Sequence, residues 1–159
     1  MPSLIRIFAD EATYNLHIML RLEMEIAFME GSLQAKDAPE VWNDKFEEYL
    51  GITPPKDEVG ILQDVHCSFG GFGYFPTYAL GNLVAAQIWE TMAADLPDIE
   101  NLVEQAKFED ILKWLPEHLH KYGAKFEPQE LVQKVTGSKI TPEPYMRYLE
   151  GKFKDIYNL

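Results

Sequence analysis

The sequence predicts an all-α protein, an irregular bundle of about six or seven helices. Apolar residues recur at spacings of three and four along most of its length, and no stretch alternates with the period of a strand. Pro76, Pro128 and Pro142 stand where helices begin, since the first turn loses nothing by a missing N–H. Gly51 and Gly137 stand where helices end. At 159 residues the chain is long enough for one domain with its own core, so a single helical domain over 1–159 is expected.

The first helical pattern runs from about 5 to 33 with no Pro and no Gly before Gly31. Leu16, Met19, Leu20, Met24 and Phe28 trace one face, and Ile18, Leu22, Ile26 and Met29 a neighbouring one. A helix apolar over so much of its circumference is expected to be buried on several sides. Through it runs a polar stripe of Arg6, Asp10, Tyr14, His17, Arg21 and Glu25. Neighbours four apart on a helix can pair, so Arg6–Asp10 and Arg21–Glu25 ion pairs along a partly exposed edge are one reading. The other is that Arg6 faces a cavity and offers its planar fork to a carboxylate. Because this helix starts so close to Met1, its apolar surface is expected to need a preceding portion of chain or an obligate interface.

Residues 39–50 read as a short amphipathic helix with Val41, Trp42, Phe46, Tyr49 and Leu50 inward. Pro54, Pro55 and the charged run 56–58 form a surface loop. A helix follows from Pro76, with Leu80, Leu83, Val84, Ile88 and Met92 in period, and closes around 95–97. Residues 108–122 form another, which Pro116 should kink or break near Leu115. Helices over 128–136 and 142–157 complete the bundle.

The formal net charge of −12 argues against nucleic acid or an anionic membrane as partner, since both are held by basic patches. The acidity is uneven: residues 1–60 carry 5 basic and 12 acidic side chains, residues 106–159 carry 9 and 8. A lone cysteine, Cys67, cannot close an internal disulfide and fits a reducing compartment. With no secretory signal pattern and no apolar run near eighteen residues, a cytoplasmic location is expected.

The chemistry concentrates in 60–87, GILQDVHCSFGGFGYFPTYALGNLVAAQ, where no Lys or Arg falls between Ile61 and Gln105. Gln63, Asp64 and His66 are three polar groups in four positions, and burying them costs free energy unless each finds a partner. Gly70, Gly71 and Gly73 let the chain fold back, so Tyr74 and Tyr78 can meet His66. A histidine and two phenols at one point can donate hydrogen bonds to an oxyanion. The alternative is an aromatic plug of Phe69, Phe72, Tyr74, Phe75 and Tyr78 filling the core. A Gly-rich loop entering a helix also suits an anion, but no Gly-Lys-Ser/Thr follows. His118 and His120, two apart, point to different faces. No HExxH and no CxxC occurs, and no His or Cys stands at a ligand spacing from His66. Cys67 and His66, adjacent in sequence, diverge and make a poor nucleophilic pair. By itself the chain contains no complete catalytic apparatus.

The segment SLIRIFADEATYNLHIMLRLEME resembles the IRxxAD region of the carboxypeptidase Taq family of thermostable metallocarboxypeptidases. GILQDVHCSFGGFGYF resembles the same family's GxxQDxHW region, and the WL, TG and YLEGKF that follow resemble its C-terminal end. Two long motifs in order cover the whole chain, which matches the C-terminal third of the family's protein. The resemblance implies a mostly helical shell around a groove. It also implies a zinc- or cobalt-dependent exopeptidase acting on peptides with a free C-terminus, commonly as a homodimer. Its metal would be held by an HExxH helix and a downstream glutamate, all outside this chain, so the chain itself holds no metal. A missing N-terminal HExxH-bearing portion is the implied partner.

By the same resemblance, Arg6 would hold the substrate's terminal carboxylate, with Gln63 and Asp64 also substrate-side and Asp10 in a structural network. His66 and Tyr78 would stabilise the tetrahedral intermediate, with Tyr74 lining the site. Cys67 stands where the family usually has Trp, which removes aromatic packing behind the loop. The expectation is thus a C-terminal segment that supplies substrate-binding and oxyanion groups and is inactive alone. Two alternatives are a non-catalytic module that binds peptide C-termini or a partner helix, and a structural subunit mating through the face at 16–28.

Overall fold

The computed structural model describes residues 2–159, so Met1, on which the expectation of a preceding portion rested, lies outside the described residues. The described residues are helical and contain no strand. Seven α-helices follow in order: α1 Glu11–Met29, α2 Ala38–Leu50, α3 Pro76–Asp95, α4 Ile99–Glu104, α5 Glu109–His118, α6 Pro128–Thr136 and α7 Glu143–Tyr157. The all-α expectation and its helix number hold. The chain forms two compact units, Met1–Leu80 and Gly81–Leu159.

In the first unit α1 packs on α2, and the core consists of Leu20, Met24, Leu33, Ala38, Trp42, Phe46 and Leu50. Each Leu, Met and Phe among them contributes about 1.5–3 kcal/mol by leaving water. α1 starts later than its sequence pattern suggests. The Asp10 carboxylate accepts the Thr13 N–H at 2.9 Å and so caps the helix, while Arg6–Phe8 form a separate 3-10 turn. Arg6 and Asp10 therefore do not share a helix face, and the expected pair gives way to a cap.

α1 buries part of its polar stripe as well as the apolar Ile18, Leu20 and Met24. Met19, Ile26 and Met29 are exposed, whereas His17, Arg21 and Glu25 are buried, with His17 at 0% exposure. The polar stripe thus faces inward, toward 60–75, and is no solvated edge. Arg21 bonds to Asp64 rather than Glu25.

In the second unit Met92, Ile99 and Trp114 form the core, with Ile88, Leu96, Ile111 and Leu115 against them. The short α4 has no counterpart in the sequence reading. Pro116 sits inside α5 without breaking it at Leu115; the helix runs on to His118 and a 3-10 turn follows at His120–Tyr122. The proline removes one bond near the helix's end, where few turns depend on it. α6 closes on Gly137 in the left-handed region, φ +82°.

Candidate functional site

The site is built where the segment before α1, α1 itself and residues 60–78 meet. Gln63 fastens the first to the third: its Oε1 accepts the Arg6 N–H at 2.9 Å, and its amide nitrogen lies 3.0 Å from the Leu4 carbonyl and 3.1 Å from that of Gly60. Asp64 then takes two guanidiniums. Arg6 donates through Nε at 3.2 Å and Nη2 at 2.9 Å, and Arg21 through Nε at 2.8 Å with its Nη2 at 2.6 Å. Arg6 Nη1 reaches the Tyr14 hydroxyl at 3.0 Å, and Arg21 Nη1 donates to the His17 carbonyl at 2.7 Å.

The charges respond to this arrangement. Burial alone would raise the Asp64 carboxyl, but the Arg6 bond and the Arg21 charge outweigh it and hold it below its ordinary range. Burial pulls Arg21 down to about 10 against the pull of Asp64, which leaves it charged at neutral pH. Burial also works against Arg6, and Asp64 and Tyr14 more than offset it, so its pKa is raised. Two positive groups share the Asp64 carboxylate, leaving one positive charge in excess within this network, while the buried Glu25 carboxylate on the same helix faces Gly73. His17 adds nothing to that excess, because burial and then the Arg21 charge lower its pKa to about 4.

Beyond Asp64 the chain turns at Cys67–Phe69, and the Gly71 N–H closes the turn on the His66 carbonyl at 2.8 Å. A Cβ at Gly71 would lie 2.8 Å from the exposed Phe69 ring and 3.0 Å from the His66 carbonyl oxygen, so this close approach favours glycine. The return path brings Tyr74 onto the His66 ring, stacked at 5.4 Å and 23°. From the first turns of α3, Tyr78 meets the same ring edge-on, its hydroxyl 3.4 Å from Nε2. Phe75 packs beneath at 4.5 Å and is buried, while Phe69 and Tyr74 are exposed. Phe75 fills the core as the plug reading has it, and the rings of His66, Tyr74 and Tyr78 meet one another.

The His66 Nδ1 is buried without a hydrogen-bond partner. A proton there would be a stranded donor, so an N–H is better placed on Nε2, facing Tyr78. Burial raises the Tyr78 phenol, which therefore stays protonated. The Arg6 guanidinium lies 5.0 Å from the Tyr78 ring centroid and joins the two halves of the site.

The structure thus brings His66, Tyr74 and Tyr78 together, and joins Arg6, Gln63 and Asp64 into one network. Asp10 stands at the helix cap instead. The Arg6 fork is already engaged by Asp64. Sequence reasoning missed the Asp64–Arg21 contact, which is 43 residues apart in sequence and carries no local signal.

The profile of the Carboxypeptidase Taq (M32) metallopeptidase family matches residues 1–153. The chain belongs to that family. It is 45% identical over 156 residues to the Thermostable carboxypeptidase 1 of Thermus thermophilus, covering 98% of this chain and 31% of the relative. It is 44% identical over 158 residues to the Carboxypeptidase 1 of Bacillus subtilis, covering 99% and 32%. Among solved structures, the M32 carboxypeptidase from Deinococcus radiodurans superposes with a TM-score of 0.95 at 38% identity, over 99% of this chain and 32% of that one. The Trypanosoma cruzi Metallocarboxypeptidase 1 does so with a TM-score of 0.92 at 41% identity, over 97% and 32%. The chain spans about a third of the length of these M32 relatives.

A metallopeptidase family implies a metal ion. The described residues bring together no group of three His, Cys, Asp or Glu able to hold one. The nearest donors are otherwise engaged: Asp64 by two guanidiniums, Glu25 by the Gly73 N–H and His66 Nε2 by Tyr78. These residues do not fit a metal by themselves. No helix among the described residues is long and apolar enough to cross a membrane.

Proposed function

We propose that this chain forms the substrate-facing wall of a metallocarboxypeptidase that releases single residues from peptide C-termini. The metal ligands come from residues outside this sequence. The observation that carries the reading is the convergence of the His66 Nε2 and the Tyr78 hydroxyl, 3.4 Å apart, with Tyr74 stacked on the same imidazole. The His66 N–H and the Tyr78 O–H, which meet each other here, would turn on substrate binding to the oxygen that gains charge when a carbonyl is attacked. The excess positive charge of Arg6 and Arg21 over Asp64 suits the substrate's terminal carboxylate, with Arg6 the nearer to Tyr78. Gln63 serves substrate binding by fixing the Arg6 backbone, and Asp64 by orienting its fork.

In this reading the ion is zinc or cobalt, supplied with the HExxH-bearing portion, and the enzyme works as a homodimer in the cytoplasm. The exposed, unpaired Cys67 suits that reducing location.

The test is release of C-terminal residues from a plain peptide, with metal content measured in the same sample. The chain alone is expected to release nothing; mixed with the family's HExxH-bearing portion and zinc it is expected to be active. His66→Ala in the complemented enzyme should lower turnover by about 10²–10³. Activity of the isolated chain with one tightly bound metal would refute the assignment of roles.

A further inference from the structure

We propose that Glu25 is a positioning residue for the His66–Tyr74 pair, a role that rests on the proposed use of that pair as a donor site. Glu25 is 4% exposed, and its Oε2 accepts the Gly73 N–H at 2.9 Å. Gly73 adopts φ +80°, a left-handed conformation that aims its N–H back at α1 and sends Tyr74 forward over His66. One turn along α1, Phe28 meets Phe72 edge-on at 6.3 Å. The loop is therefore anchored to α1 at two adjacent residues, one polar and one aromatic, just before the tyrosine that stacks on the imidazole.

The rest of the loop is set against α1 by this anchor and by the buried Phe75 ring, 5.2 Å from the Arg21 guanidinium. It is closed on itself by the Gly71 N–H on the His66 carbonyl, and the Tyr74 N–H returns to the Gly71 carbonyl at 3.3 Å. Both bonds lie within 66–74, so neither places the loop relative to the Arg6–Asp64 network. Glu25 does, because it shares α1 with Arg21, which holds Asp64. The Glu25 charge also reaches Cys67, whose thiol, though exposed to solvent, is raised first by partial desolvation and then by this carboxylate. Its other oxygen, Oε1, is buried without a partner. A carboxylate accepting one backbone N–H with its second oxygen buried is a costly way to fill space. An apolar side chain would pack there as well and position nothing.

The test uses the 159-residue chain with Glu25→Ala and Glu25→Gln. It follows Gly73 amide exchange and the nuclear Overhauser contacts between the His66 and Tyr74 rings. In Glu25→Ala the Gly73 amide should exchange about tenfold faster or more and the ring contacts should fade, because a bond to a charged acceptor is lost. Glu25→Gln, whose carbonyl oxygen accepts the same N–H, should restore both. If Glu25→Ala does not fold, Glu25→Asp carries the test: it keeps the charge, withdraws the oxygen by one methylene and should show the same loosening. Unchanged exchange and ring contacts in the alanine or aspartate variant, or a glutamine variant that behaves like alanine, would overturn the proposal.

In the complemented enzyme, Glu25→Ala should lower kcat with little change in KM, and Glu25→Gln should recover it. If the wild type releases no residue while the exchange results stand, the proposed function fails and the positioning role remains.

Discussion

Two arginine–carboxylate forks in this chain share one geometry and sit in opposite surroundings. Arg6 holds Asp64 through Nε and Nη2 at 3.2 and 2.9 Å, with side chains 8% and 15% exposed. Arg147 holds Glu90 through the same two nitrogens at 2.9 and 2.8 Å, with side chains 59% and 52% exposed. Judged by distance, the second fork is the better made. Burial reverses the ranking, since breaking a buried pair strands a charge that water cannot reach, while at the surface water replaces either partner. The units also differ in what they use as a hub. The first organises its loop with ions; the second uses the neutral Gln87, whose amide nitrogen lies 2.9 Å from Thr136 Oγ1 and 2.8 Å from Ser138 Oγ, and whose Oε1 accepts the Thr141 N–H at 3.3 Å.

Removing the shared carboxylate should have the largest effect. Asp64→Ala leaves the Arg6 and Arg21 guanidiniums buried and facing each other, at a cost of about 3–5 kcal/mol. Native-state hydrogen exchange of the α1 amides reads this loss in the first unit. A loss below 1 kcal/mol would mean that water already screens the pair and would remove the contrast between the two forks.

The next effect comes through pH. His17 is neutral in the folded unit because burial and the Arg21 charge lower its pKa from 6.5 to about 4. The unfolded chain therefore binds a proton that the folded chain refuses. The resulting stability is complete above the unfolded value and is lost as pH falls from about 6.5 to about 4, amounting to about 3 kcal/mol at most. Asp64, whose folded value is depressed, holds its contribution down to the ordinary aspartate range and loses it only on further acidification. His17→Phe should flatten the curve between these limits and leave the fall below pH 4. The same exchange measurement at several pH values tests this, and a slope that persists in the phenylalanine variant would assign it elsewhere.

A smaller cost is expected at the neutral hub. Gln87→Leu keeps the volume but strands the Thr141 N–H and the acceptors of 136–139, for about 1–3 kcal/mol by urea denaturation. If this variant destabilises its unit more than Asp64→Ala destabilises the other, charge is not what distinguishes the two hubs.

Which parts of this were legible in the sequence follows from the range of the forces involved. The helices could be read because period, proline and glycine act within a turn or two, as at Pro76, Pro128 and Gly137. The meeting of His66, Tyr74 and Tyr78 was also within reach, since only twelve residues and three glycines separate its ends. Arg6 was paired with Asp10 because spacing of four implies contact only inside one helix, and the Asp10 cap moved the helix start past it. Its real partner lies 58 residues away. The burial of His17 and Glu25 was hidden for the same reason: a polar stripe looks solvated until the loop that covers it is in place. α4 is too short to show a period.

The smallest effect should come from the exposed fork, and it tests the comparison most directly. Glu90→Gln keeps one oxygen acceptor for Arg147 and removes the charge. Both side chains are more than half exposed, so ions and water screen the pair and its ordering entropy offsets what attraction remains. Urea denaturation should show no measurable shift at 0.15 M salt. Asp64→Asn makes the same chemical change in the buried fork, and there it should be plainly destabilising, because an amide cannot balance two guanidiniums. Equal responses at the two positions would mean that geometry, and not burial, sets the worth of an arginine–carboxylate fork in this chain.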